Sequence, residues 1–117
     1  MARVLWSPTA RLRLTEIVDY IARDSPPAAE AVHRALLRGV RRVGTWPMSA
    51  PWVGAPYAAL AGLDQSYRVL VVRPYLVFYR VRGDDVLVLT IQHGAQLPPP
   101  AAGLAAAGES PPADAPG

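Results

Sequence analysis

The side chains best suited to chemistry lie in residues 73–96, RPYLVFYRVRGDDVLVLTIQHGAQ, and in Arg68 just before them. Their arginines can hold a phosphate, but a guanidinium stays protonated at any ordinary pH and makes a poor general base. His93 is the one side chain here that can exchange a proton near neutral pH. As a catalytic set, the candidates are His93, Arg68 and Arg80. As a docking surface, the stretch offers Arg73, Tyr75, Tyr79, Arg80, Arg82 and His93.

His93 has no obvious acidic residue beside it that would orient its ring. Three interpretations therefore remain open: a strand-terminal residue satisfied by the backbone, a contact to a partner or target, and a proton-transfer group. Tyr75 and Tyr79 fall on one face of a strand, so we expect both rings to pack across a sheet. The other histidine, His33, is expected at an exposed or boundary position of a helix.

The charge balance points to an acidic partner. The chain has 12 positive residues, all arginine, against 9 acidic ones. Glu109 and Asp114 are the only charges in residues 98–117, so residues 1–97 carry a net charge of +5. A basic surface favours nucleic acid or an acidic protein segment and does not choose between them. On the second predicted helix, four arginines lie largely away from the buried stripe and are candidate partner contacts: Arg34, Arg38, Arg41 and Arg42.

Several classes of protein are disfavoured by what the sequence lacks. It has no cysteine, no paired histidines at ligand spacing and no glycine-rich phosphate loop after a strand, so we expect neither a metal nor an organic cofactor. No apolar run approaches the ~20 residues that cross a bilayer. The start, MARVLWSPTARLRL, lacks the apolar segment of a secretory signal. We therefore expect a cytoplasmic protein without a membrane partner.

Hydrophobic periodicity predicts the elements that position these side chains. A short strand at residues 3–6 is followed by Ser7-Pro8, an N-cap with proline at the first helical position. The first helix should end near Asp24, and the second should run to about Thr45. Residues 46–64 are expected to form a loop anchored by Trp46 and Trp52. Strands are predicted at residues 66–73, 75–82 and 86–92, with a hairpin turn at residues 83–85. The order is β-α-α-β-β-β, an α+β fold.

The last 20 residues differ in composition from the rest. PPPAAGLAAAGESPPADAPG is rich in proline, alanine and glycine and carries little apolar surface. Such a segment buries too little to offset the entropy of ordering. We therefore predict a folded domain at residues 1–97 and a disordered tail at residues 98–117.

A set of short motifs across residues 3–94 resembles the RelE/ParE superfamily of bacterial toxins, in particular its ParE-like plasmid-stabilisation branch. The resemblance begins at Trp6-Ser7-Pro8 and continues through Pro-Ala-Ala at residues 27–29. It then includes Arg68, Pro74-Tyr75, Phe-Tyr-Arg-Val at residues 78–81, and His93-Gly94. The resemblance implies a helical hairpin packed on a small antiparallel sheet. It also implies a type II toxin that is neutralised by a cognate antitoxin, ParD-like or another acidic-tailed type.

The superfamily has two main activities, and the side chains favour one of them. Its RelE-like members cut messenger RNA on the ribosome and typically use lysines, arginines and a C-terminal tyrosine, whereas its ParE-like members poison DNA gyrase. This chain has no lysine and no tyrosine after the last strand. We therefore predict a gyrase-inhibiting toxin that is not an enzyme. The alternatives are a ribosome-dependent endoribonuclease that uses His93 with Arg68 and Arg80, and a non-toxic relative that only binds an antitoxin. Many ParE-like chains place basic residues after His-Gly, where this chain has Ala95-Gln96.

Overall fold

The computed structural model describes residues 1–116, which form three helices on a mixed four-stranded sheet. The helices are α1 (Pro8–Ala22), α2 (Pro26–Thr45) and α3 (Ala101–Ala107). The strands are β1 (Arg3–Trp6), β2 (Tyr67–Val72), β3 (Tyr75–Arg82) and β4 (Asp85–His93), in the spatial order β1-β4-β3-β2. The α+β class and the predicted element order are confirmed. One detail differs from an antiparallel sheet, because β1 pairs with β4 in parallel.

Both helices of the hairpin begin at the serine-proline pairs that the sequence indicates. The Ser7 hydroxyl accepts a hydrogen bond from the Ala10 N–H at 3.0 Å, and Ser25 does the same for Ala28 at 3.2 Å. Ser7 is fully buried, and its hydroxyl also donates to the Leu89 carbonyl of β4 at 2.7 Å. The first cap therefore fixes α1 to the middle of the sheet, whereas the second stabilises only its own helix.

The hairpin of α1 and α2 covers one face of the sheet. Trp6, Leu14, Leu36 and neighbouring apolar residues form a core between α1, α2 and the strands. Gly39 and Gly44 let α2 approach the sheet closely at both edges. A Cβ at Gly39 would lie 2.8 Å from Val72 Cγ2 of β2, and one at Gly44 would lie 2.7 Å from Val4 Cγ2 of β1. These contacts position α2 across the whole width of the sheet.

The opposite face is covered by the loop between α2 and β2, which contains one short 3₁₀ turn at Ala58–Leu60. Val53 and Leu60 are fully buried against Tyr67, Phe78 and other residues of the sheet. Trp52 anchors the loop as expected, since its indole N–H donates to the Leu63 carbonyl at 3.0 Å. The expectation for Trp46 is wrong. Trp46 is the C-cap residue of α2, where its backbone N–H donates to the Arg42 carbonyl, and the residue is 67% exposed.

The tail also packs on this face, which corrects the expectation of a disordered segment at residues 98–117 as far as residue 116; Gly117 lies outside the described residues. Leu104 of α3 is 1% exposed and joins the cluster that contains Leu87 and Leu89. Two backbone hydrogen bonds, of 2.7 and 3.0 Å, join Ala113 to Trp6 at the outer edge of β1. The tail is ordered because its one buried leucine packs against an apolar surface of the sheet. The composition of the tail alone does not reveal this tertiary contact.

Deleting residues 98–117 should lower the free energy of unfolding by about 2–3 kcal/mol, the order expected for losing one buried leucine and its neighbours. Leu104→Ala should reproduce most of this loss, and Ala102→Ser, at an exposed position of the same helix, should change little. Urea denaturation followed by circular dichroism measures all three variants. Equal midpoints for the full chain and the truncated chain would show that the tail does not contribute to stability.

Ser7→Ala should cost about 2 kcal/mol or more, because it removes a helix cap and leaves the buried Leu89 carbonyl without its donor. Ser25→Ala is the matched control, since it removes a cap without a buried carbonyl and should cost about 1 kcal/mol. The same denaturation assay compares them. Equal losses for the two variants would contradict a role for the Ser7 hydroxyl beyond capping.

Candidate functional site

One end of the sheet brings together Arg73, Tyr75 and His93. Tyr75 and His93 are directly opposite each other on β3 and β4, and their rings meet edge to face with centroids 5.7 Å apart. The Ala95 N–H donates to His93 Nδ1 at 3.0 Å, while Gln96 Oε1 accepts from the His93 backbone N–H at 2.9 Å. With Nδ1 acting as an acceptor, the neutral ring carries its proton on Nε2. The ring is held by its neighbours, and no carboxylate within residues 1–116 pairs with it.

Arg68 and Arg80 lie far from His93 and are held in structural contacts. The Arg80 guanidinium stacks 4.7 Å above the Tyr67 ring and donates from Nε to Ser66 Oγ at 3.1 Å. Arg68 donates to the carbonyls of Gln65 and Ala50 at 2.9 and 3.0 Å. Both arginines therefore clamp the loop to the sheet.

The separation of these groups follows from the strand register. Arg80 pairs with Leu87, whereas His93 pairs with Tyr75, five residues away along β3. At about 3.3 Å per residue this places them roughly 16 Å apart. The structure thus does not assemble the candidate catalytic set His93, Arg68 and Arg80 around one point.

The remaining strand residues separate into buried and exposed groups. Tyr79 is fully buried, and its hydroxyl donates to the Pro47 carbonyl at 2.7 Å, so its ring is not available to a partner. Burial raises the pKa of Tyr79, which keeps the hydroxyl protonated as a donor. Tyr75 is half-buried, as expected for a ring packed across the sheet, whereas Arg73 and Arg82 are exposed at opposite ends of β3.

Asp85 sits beside Arg82 at the start of β4 and opposite Arg3 of β1. Arg3 donates to both of its carboxylate oxygens at 3.0 Å. These hydrogen bonds, with the nearby charges of Arg3 and Arg82, hold the pKa of the Asp85 carboxyl below its usual range. Arg82 is therefore partly neutralised by its surroundings, and Arg73, in the turn between β2 and β3, is the less compensated of these two exposed arginines.

The helix arginines form an exposed stripe on α2, on the side opposite the core. Arg34 pairs with Glu30 at 2.8 Å, whereas Arg38, Arg41 and Arg42 form no ion pair among residues 1–116. The three unpaired side chains border a notch of about 590 Å³ between α2 and the start of the chain, with Ala2 and Val4 in its lining. We call Arg38, Arg41 and Arg42 the basic stripe. Its mixture of cations and apolar floor suits an acidic amphipathic segment.

The molecule is electrically asymmetric. Residues 31–83, which include most of α2, the loop, β2 and β3, contain eight arginines and a single acidic residue, Asp64. Hydrogen bonds from Ser66 hold the pKa of the Asp64 carboxyl below its usual range, and Arg80 Nη2 lies 3.8 Å from it. The other residues carry four arginines and eight acids. A partner with acidic side chains would therefore be drawn to the half that holds the basic stripe and β2.

A groove of about 950 Å³ runs beside the Tyr75–His93 pair, between α1 and the tail. Ile17 and Tyr20 of α1 line one side, Leu104 and Ala107 of the tail line the other, and Ile91 contributes to the floor. Sequence reasoning missed this groove, because one of its walls is the tail that composition alone predicts to be disordered.

Within residues 1–116 no cluster of three or more histidine, cysteine or acidic side chains has the arrangement of a metal site. None of the helices in that range has the length and apolar character needed to span a bilayer.

Comparisons with known proteins agree with this architecture. Residues 4–98 match the family model described as ParE toxin of type II toxin-antitoxin system, parDE. The chain is 35% identical over 96 residues to "Putative toxin Y4kP" of Sinorhizobium fredii, covering 80% of this chain and 90% of that protein. It is 31% identical over 97 residues to "Toxin RelE2" of Caulobacter vibrioides, covering 83% of this chain and all of that protein.

A solved structure titled "Chromosomal ParDE TA system from P. aeruginosa" shares the fold, with a TM-score of 0.61 at 21% identity, over 80% of this chain and 96% of the other. This chain and that structure therefore share the arrangement of their helices and strands. The family model covers the chain from β1 to just beyond β4. This chain therefore belongs to the ParE toxin family of type II toxin-antitoxin systems.

Proposed function

We propose that this toxin acts by binding DNA gyrase and not by cutting RNA, and that an acidic segment of a cognate antitoxin neutralises it in the cytoplasm. The observation that carries the choice of target is the environment of His93. Its Nδ1 accepts from the Ala95 N–H, its ring packs on Tyr75, and the arginines that could stabilise a phosphate with it are bound to the loop.

RNA cleavage needs more than this set of groups supplies. A base must activate the 2′-hydroxyl, an acid must protonate the leaving oxygen, and cations must surround the phosphate where charge develops. A single histidine can serve as one of the first two groups. Arg73 is exposed in the turn before β3, at the same end of the sheet as His93. Arg13 of α1 lines the groove beside His93, but it pairs with Glu16 at 3.2 Å. One unpaired cation is a poor phosphate cradle. These groups are better suited to docking against a protein than to phosphoryl chemistry.

The alternative with a specific observation behind it is a ribosome-dependent endoribonuclease. A relative that aligns over its whole length is named "Toxin RelE2", and the exposed His93 would be its acid-base group. In that case His93→Ala should lower the cleavage rate by two to four orders of magnitude, the usual contribution of a general acid or base. The third possibility, a non-toxic relative that only binds an antitoxin, would leave growth unaffected by induction.

The antitoxin interaction is expected at the basic stripe. Arg38, Arg41 and Arg42 are exposed, unpaired within the described residues and next to an apolar notch. An acidic amphipathic helix would place carboxylates against the guanidinium groups and an apolar side chain in the notch. The exposed Trp46 at the end of α2 offers a further apolar contact. The sheet face itself is not available to such a helix, because the loop and the tail cover it.

The proposed target is tested by two assays on one preparation. After growth arrest on induction, purified toxin should inhibit gyrase supercoiling, and messenger RNA in a translating extract should stay intact. In the supercoiling assay Arg73→Ala should weaken inhibition by about 1–3 kcal/mol, the range of an interface contact, and His93→Ala by less than about 1 kcal/mol. Arg23→Ala, an exposed arginine at the end of α1, is the control. Codon-phased cleavage that His93→Ala abolishes, with supercoiling untouched, would overturn the gyrase proposal.

The antitoxin proposal is tested by calorimetry with the protein encoded beside this chain. Arg38→Glu and Arg41→Glu should each weaken binding about tenfold or more, because they place a like charge against the acidic segment. Arg23→Glu makes the same charge change outside the stripe and should have little effect. Binding of the wild type should also weaken as salt increases. Equal affinities for all three variants would place the interface elsewhere, and no binding by the wild type would contradict the choice of partner.

A further inference from the structure

The groove between α1 and the tail lies along an open edge of β4. The pairing of β1 with β4 ends where Trp6 lies opposite Val88, because the chain then turns into α1. The second half of β4 therefore has β3 on one side and the groove on the other. Backbone groups on the groove side of β4 are free of the sheet's own hydrogen bonds.

The strand register identifies which residue of β4 faces the groove. The Val81 N–H donates to the Ser66 carbonyl at 2.8 Å, in line with the pairing of β2 and β3. Because the direction of the backbone groups alternates along a strand, odd-numbered residues of β3 face β2 and even-numbered ones face β4. Phe78 is one of the even-numbered residues, and its partner on β4 is Thr90. The backbone of Thr90 therefore faces β3, and the next residue, Ile91, turns its N–H and carbonyl toward the groove.

The neighbours of Ile91 along this edge are satisfied within the chain. On one side, the Leu89 carbonyl accepts from the Ser7 hydroxyl at 2.7 Å. On the other side, the His93 N–H donates to Gln96 Oε1 at 2.9 Å, and the His93 carbonyl accepts from the Gln96 N–H at 3.1 Å. The N–H and carbonyl of Ile91 have no partner among residues 1–116, although this residue is 1% exposed. A buried donor and acceptor are costly unless something binds them.

A side chain beside Ile91 also has unused hydrogen-bonding capacity. Thr90 is 9% exposed and lines the groove, and its hydroxyl forms no hydrogen bond with the other residues of the range 1–116. These polar groups lie between apolar side chains, since Ile17 of α1 and Leu104 of the tail line the two walls. A few polar groups set among apolar walls are typical of a binding site, and a backbone donor and acceptor side by side match those of an extended peptide.

The charge of the groove favours an uncharged ligand. Arg13 lines the groove, but it pairs at 3.2 Å with Glu16, which lines it too. A phosphate or a carboxylate would therefore gain little there, because a strong anion site needs donors that are free to bind it. The basic stripe, which suits an acidic segment, lies on α2 and belongs to a different cavity. These charges disfavour both nucleic acid and an acidic antitoxin segment as the occupant of the groove.

The position of the groove indicates which protein would enter it. From Leu89 to His93 the edge spans about 13 Å, at about 3.3 Å per residue, which matches an extended segment of about five residues. One end of the groove is the Tyr75–His93 pair, where the proposed function places gyrase. A protein docked on these two rings therefore lies at the mouth of the groove.

We propose that an extended, uncharged segment of gyrase enters the groove between α1 and the tail, where its backbone pairs with the N–H and carbonyl of Ile91 and a polar group binds the Thr90 hydroxyl. The inference rests on the proposed function for the identity of the target, and it specifies how that target is held. One wall of the site is α3, which lies beyond residues 4–98, the part of the chain that the family model matches.

The supercoiling assay with purified gyrase and the full-length chain tests this site through matched variants. Ala106 is exposed and lines the groove, so Ala106→Trp should obstruct it and weaken inhibition about tenfold or more. Ala102→Trp adds the same ring to an exposed position of α3 outside the groove and should change inhibition less than about twofold. Thr90→Val keeps the shape of the side chain without its hydroxyl and should weaken inhibition about three- to tenfold.

Amide exchange of the wild type, read at single residues by mass spectrometry, gives a test that does not depend on how a variant folds. In the free chain the Ile91 amide should exchange faster than that of Thr90, which β3 binds. With gyrase in excess, exchange at Ile91 should slow at least about tenfold.

The outcomes separate this inference from the proposed function. Inhibition that Ala106→Trp leaves intact, with exchange at Ile91 unchanged by gyrase, would overturn the groove and leave gyrase as the target. Protection of Ile91 by an RNA oligonucleotide instead of gyrase would overturn it in favour of nucleic acid, and protection in a dimer of the free chain in favour of a second copy. A wild type that neither binds nor inhibits gyrase would overturn both.

Discussion

Ser7 joins the helical hairpin to the sheet. Its backbone N–H donates to the Val88 carbonyl, its hydroxyl donates to Leu89, and the same hydroxyl caps α1. These bonds lie beside an irregularity in the pairing of β3 and β4, where Phe78 pairs with Thr90 but Tyr79 pairs with Val88. A bulge leaves a backbone carbonyl without its strand partner, and a side-chain hydroxyl is one way to satisfy it. The direction of the helical hairpin, and hence the position of α2 and its arginines, depends on this junction.

The arginines divide into two physical roles. Arg68 donates to two backbone carbonyls, and Arg80 donates to a serine hydroxyl and stacks on a tyrosine ring. Together they hold in place a loop that has little regular structure of its own. A guanidinium suits this role because its several donors can bind backbone groups in fixed directions. Arg38, Arg41 and Arg42 have no such partners among the described residues, and their repulsion is relieved only by solvent or by an acidic ligand. Three unpaired guanidinium groups thus lie on a helix that packs against the core.

Sequence reasoning succeeded where the signal is local. Ser7-Pro8 and Ser25-Pro26 start helices through their own side chains and ring geometry, and the α2 arginines follow the helical period. It failed where the outcome depends on a distant surface. Leu104 is ordered because a hydrophobic face receives it, and Trp46 is exposed although Trp52 in the same loop is anchored. Likewise, the residues next to Arg80 in the sequence do not show that its guanidinium will stack on Tyr67 and donate to Ser66. An arginine that clamps a loop therefore cannot be told from a catalytic candidate by sequence alone.

The pairing of Ala113 with Trp6 has a consequence for assembly. A sheet with two open edges can add copies of itself at both sides and grow without limit, which is the route to fibres. Here the tail and the end of α2 flank β1, so another copy of the sheet can pair only beyond β2. Two copies that paired through β2 would leave β1 outermost on both sides, so such a pairing would stop at a dimer. The tail, which follows the part of the chain that the family model matches, thereby protects one of the two outer strands of the sheet from pairing with another copy.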